Sequence, residues 1–158
     1  MIKSILAIAT VGAVAVSTLV SGTAHAAHAP KSSTETIMLG SKNGSHVTGT
    51  AKFTYNSATK TTTVLLHVSG LKPMTVHPAH IHLGASCSAN GAVLYTFHPV
   101  SGMGMMTEAN GSGVMNAKTS FTGSYTAKPL YINVHTGPGL VPASQFKVMA
   151  CGVVGMSM

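Results

Sequence analysis

From Val47 to Val68 the chain alternates. Val47, Gly49, Ala51, Phe53 and Tyr55 share one parity, with polar residues mostly on the other. After Asn56-Ser57-Ala58-Thr59-Lys60, Thr62, Val64, Leu66 and Val68 again alternate with Thr63, Leu65 and His67. Side chains repeat every two residues only in a strand, so this stretch reads as a hairpin with one half-buried face. Period two sets in from Thr34. Further strands are expected at Ala79–Leu83, Ala92–Phe97, Val114–Phe121, Leu130–His135 and Phe146–Val154. No convincing helical stripe occurs beyond the N-terminal segment, and Gly, Ser, Asn and Pro fill the gaps. Seven or eight short antiparallel strands then imply an all-β, immunoglobulin-like Greek-key β-sandwich or barrel. Gly102 to Gly113, with Met103, Met105 and Met106, reads as a loop.

The N-terminus is of another kind. Lys3 precedes an apolar run from Ile5 to Val20 and then the small residues Ser21-Gly22-Thr23-Ala24-His25-Ala26, the three parts of a secretory signal peptide. Residues 1–26 are therefore expected to be removed, although Ala27-His28-Ala29 offers a second cleavage site. Residues 27–158 would form one domain, secreted to the extracellular space or cell envelope, with no lasting membrane span. Export favours a disulfide between Cys87 and Cys151, the only cysteines, over two buried thiols. Nine basic residues, all lysine, face two acids, Glu35 and Glu108, and the chain has no arginine or aspartate. No lysine cluster or aromatic basic stripe accompanies this excess, which argues against nucleic acid as a partner.

The segment His77-Pro78-Ala79-His80-Ile81-His82 carries the chemistry. A strand here puts His80 and His82 on one face while Ala79, Ile81 and Leu83 take the other. Leu130, Ile132 and Val134 fill one parity of their strand and leave His135 on the opposite one. Three imidazoles from two strands suit copper or zinc, and copper is the better redox ion. The residues argue against serine- or cysteine-type hydrolysis, because only two scattered glutamates are available to orient a histidine and both cysteines are expected in the disulfide.

In chain order these elements resemble the copper,zinc superoxide dismutase family. Gly70-Leu71-Lys72-Pro73 is similar to its G-L-x-P turn, His77 to His82 to its H-G-F-H-x-H, and Gly84-Ala85-Ser86-Cys87 to a bacterial G-x-S-C. Val134-His135 with Gly137-Pro138 resembles V-x-H-x-G-P, and Ala150-Cys151-Gly152-Val153-Val154-Gly155 the A-C-G-V-I-G terminus. The resemblance implies copper on His80, His82 and His135, a structural His77 and a Cys87–Cys151 disulfide. It also implies superoxide as a small-molecule substrate, converted to oxygen and hydrogen peroxide, and allows a homodimer. The CHRD domain, often without a known reaction, is a related resemblance through His80-Ile81-His82 and Asn133 to Thr136.

The chain departs from the dismutase pattern in three places. Without aspartate the zinc site cannot be built, so zinc is not expected, and the copper ligands need another source of orientation. His98, in Phe97-His98-Pro99, is a candidate fourth ligand by loose alignment, with a surface histidine as the alternative. Val148 stands where the family has its anion-guiding arginine; Lys147 lies beside it on the opposite parity and offers at most long-range steering. A copper-only dismutase is the leading expectation. A non-catalytic copper-binding or buffering protein and a metal-free surface module are the alternatives.

Overall fold

A computed structural model describes residues 32–100, 109–137 and 146–155. The N-terminal segment, Lys31 and the Met103–Met106 stretch lie outside the described residues. Among the described residues nine strands form one antiparallel sheet: β1 Ser32–Ser41, β2 Thr48–Asn56, β3 Thr61–Ser69, β4 Ala79–Leu83, β5 Val93–Thr96, β6 His98–Pro99, β7 Met115–Thr122, β8 Leu130–His135 and β9 Val148–Val153. Their spatial order is β5-β4-β8-β9-β1-β2-β3-β7-β6.

The hairpin forms where the alternation places it. Asn56 pairs with Thr61, and the register continues to Thr48 opposite Ser69. The Asn56 side-chain oxygen accepts the Ala58 and Thr59 N–H groups at 2.9 and 3.3 Å, an Asx turn that reverses the chain locally. Ala51, Phe53, Val64, Leu66 and Val68 are buried from the paired strands, and β7 adds Met115, Ala117 and Phe121. Thr62, on the same parity, is also buried, and its hydroxyl donates to the Gly123 carbonyl, which removes the cost of an unmade hydrogen bond.

Two features explain why an open sheet is not formed. β1 pairs with β2 as far as Leu39 and then with β9 through Gly40 and Ser41, so one strand serves both halves of the fold. The two outermost strands, β5 and β6, are consecutive in the chain and separated by Phe97 alone. That one-residue link forces the sheet to curl until its edges meet, giving a nearly closed barrel. Phe97 is buried, and its N–H donates to the Ala79 carbonyl at 3.0 Å. Closure leaves few unpaired strand edges.

The expected all-β sandwich or barrel is therefore present, with nine strands rather than seven or eight. The period two that sets in at Thr34 belongs to β1, in which only Ile37 and Leu39 are buried; the strand beyond the expected count is the two-residue β6, too short to show a period. A disulfide joins Cys87, in the connection between β4 and β5, to Cys151 in β9.

Candidate metal centre

β4 lies between β5 and β8 and divides its side chains as alternation requires. Ala79 and Ile81 enter the core, leaving His80 and His82 on the other face. Across the ladder His80 is opposite Asn133, and His82 is opposite Tyr131. Directly paired residues share a face of a sheet, so β8 presents Tyr131, Asn133 and His135 beside the two β4 histidines. All six residues of β8 are buried. At its end, the ladder with β9 shifts register between Val134 and His135, and the His135 N–H donates to the Pro78 carbonyl at 2.9 Å. That bond pins the third histidine to the start of β4.

One ring nitrogen from each of His80, His82 and His135 meets the others within 4.8 Å. His82 and His135 are oriented in the same way. The His82 Nδ1–H donates to the Gly91 carbonyl at 3.0 Å, and the His135 Nδ1–H to the Phe146 carbonyl at 2.9 Å. A neutral imidazole has one N–H, so each donation leaves Nε2 with its lone pair. Those two Nε2 atoms and Nδ1 of His80 are buried without a hydrogen-bond partner among the described residues. Buried polar atoms are seldom left so, and three such acceptors gathered together suit a cation. Orientation comes from backbone carbonyls, which replace the aspartates the chain lacks.

Electrostatics favour the ligand form. Burial, reinforced by the neighbouring His135 and His82, lowers the His80 pKa from 6.5 to about 4. Burial also lowers that of His135, against the opposing pull of the Phe146 carbonyl. Both rings are thus neutral at pH 7, the state in which imidazole binds a metal. Aromatic rings flank two of them: Tyr131 stacks on His82 at 4.9 Å and Phe146 on His135 at 4.7 Å between centroids.

A match to the CHRD domain extends over residues 32–139 and so includes both strands that carry the trio. The chain belongs to the CHRD domain family. The CHRD domain, suggested by the motifs as a relative, is thus the family itself, and membership of the superoxide dismutases has no such support. No curated protein matches the chain. In this CHRD domain the matched region ends before β9, the strand that carries Cys151 and pairs with both β1 and β8.

The remaining predicted residues fall elsewhere in the chain. His98 is exposed on β6, opposite Lys118 of β7, and is not brought to the trio. Phe97 points into the core, and alternation turns the next residue outward. Lys147 is exposed just before β9, and its carbonyl accepts from the Thr136 N–H and hydroxyl. His77 is buried, with Nδ1 3.1 Å from the His135 carbonyl oxygen. Sequence reasoning missed Gly91, Phe146 and Tyr131 as parts of the site. The first two act through backbone carbonyls, which side-chain chemistry does not announce. Tyr131 shares the parity of His135, and that was its signal.

Proposed function

We propose that this CHRD domain is an exported copper-binding protein whose His80, His82 and His135 hold one ion. The observation that carries the reading is the convergence of three buried, unpartnered imidazole nitrogens, two of them fixed as acceptors by backbone carbonyls. An all-imidazole set without carboxylate or thiolate favours copper, which among first-row divalent ions binds such sites most strongly. Bound there, copper would supply one-electron chemistry; the protein's part is to hold neutral rings in place and exclude water from their inner edges. Metal analysis of the purified chain is expected to give about one copper per molecule, and the His80→Ala, His82→Ala variant none. A metal-free wild type under copper loading, or equal copper in the variant, would remove the proposal.

A dismutase reading has one supporting observation. His80 is only partly buried, which leaves the trio approachable by a small molecule such as superoxide. Val148 stands in place of a guiding arginine, and Lys147 is exposed, so copper holding is preferred to turnover. A superoxide-removal assay on the copper-loaded protein separates the two: activity lost in the double variant would establish turnover, and bound copper without activity would establish holding.

A further inference from the structure

Several contacts that hold the connection between β4 and β5 converge on Tyr131. Its ring is buried and stacks on His82 at an interplanar angle of 14°. Its hydroxyl donates to the Ala89 carbonyl at 2.6 Å and accepts the Gly91 N–H at 3.1 Å. Gly91 in turn receives the His82 Nδ1–H on its own carbonyl. One side chain therefore fixes both sides of His82, the face by stacking and the edge by placing the peptide that orients it.

The glycines flanking this connection fit the same purpose. A Cβ on Gly91 would lie 1.6 Å from the Leu83 carbonyl oxygen, so only glycine lets the chain return this close to β4. A Cβ on Gly84, whose φ is +148°, would meet the Ala89 Cβ at 2.8 Å and the Tyr131 ring at 3.0 Å, a backbone conformation and a clearance suited to glycine. The Leu83 N–H donates to the Ala92 carbonyl at 3.0 Å and closes the base of the loop.

We infer that Tyr131 is a positioning residue of the metal centre: its hydroxyl sets the Gly91 peptide, which holds His82 as the Nδ1–H tautomer with Nε2 free for a metal. The inference rests on the copper reading above for its consequence, but the tautomer it requires belongs to the metal-free chain. Losing the second partner of a ligating histidine usually weakens metal binding by about 10–100-fold.

The test is Tyr131→Phe, which keeps the ring and removes the hydroxyl, with Tyr95→Phe as control because that ring stacks on Phe121. Copper affinity is measured by competition with a chelator, and the His82 tautomer by nitrogen-15 NMR of the metal-free proteins. Tyr131→Phe is expected to bind copper about 10–100-fold more weakly and to lose the single Nδ1–H tautomer of His82, whereas Tyr95→Phe matches the wild type in both. A role confined to stability would lower the melting temperature and leave affinity and tautomer unchanged, which would overturn the inference. If Tyr131→Phe does not fold, the metal-free wild type decides: a slowly exchanging Tyr131 hydroxyl proton together with His82 protonated on Nδ1 upholds the inference, and a freely exchanging hydroxyl or protonation of His82 on Nε2 overturns it. A wild type with the Nδ1–H tautomer but no copper affinity would defeat the copper reading and leave the positioning of His82 intact.

Discussion

At the residue scale, the three histidines differ in what they offer. His82 and His135 present Nε2 with Nδ1 committed to a carbonyl, whereas His80 presents Nδ1 and is the partly buried member. Removing any one leaves two ligands, and a single His135→Ala substitution is expected to weaken copper binding more than 100-fold, beyond the ~10–100-fold typical of an outer partner; chelator competition measures it. Proton linkage gives a second prediction. The folded pKa of His80 lies near 4 against 6.5 unfolded, so between those values the unfolded chain binds a proton that the folded chain refuses. Stability of the metal-free protein therefore falls as pH drops from about 6.5 to about 4 and this contribution levels off below; His135 acts in the same direction. Urea midpoints at pH 7 and pH 4.5 check it, with the lower midpoint expected at pH 4.5. The chain has only two acidic residues, so the usual carboxylate source of acid instability is small.

At the scale of elements, β4 and β8 were legible because each combines a period-two apolar face with histidines on the opposite parity, and alternation alone then fixes who shares a side. β1 was less visible. Of its ten residues only Ile37 and Leu39 are buried, since its partners β2 and β9 make it a strand through backbone pairing rather than through an apolar pattern. The second partners of His82 and His135 were not legible, because a carbonyl of Gly91 or Phe146 carries no sequence mark and its place depends on how the loops close. His98 shows the limit of alignment near a turn: the chain there leaves β4 and pairs with β7, opposite Lys118. The Cys87–Cys151 bond ties the β4–β5 connection to β9 across a sequence separation of 64, a loop whose closure is worth about 4 kcal/mol in the chain-entropy account. Reduction, or replacement of both cysteines by serine, is expected to lower unfolding free energy by about that amount, read from denaturant curves; an unchanged midpoint would show that the bond constrains little.

At the scale of the molecule, alternation and turn residues sufficed for an all-β sandwich or barrel, but closure follows from topology. β5 and β6 occupy opposite ends of the strand order and are one residue apart in the chain, a relation that local pattern cannot reveal. Phe97→Ala would remove the buried ring at that junction and is expected to cost about 3–5 kcal/mol, measured by chemical denaturation; a loss under about 1 kcal/mol would mean the junction is not what holds the edges together. The same closed scaffold fixes β4 against β8, and with them the distance between the His80–His82 pair and His135. The most direct test of the copper site is therefore X-ray absorption of the copper-loaded chain. Three imidazole nitrogens bound directly to the metal are predicted, reduced in number when His135 is replaced. A spectrum dominated by sulfur, or one unchanged by that replacement, would place copper elsewhere and contradict the assignment to His80, His82 and His135.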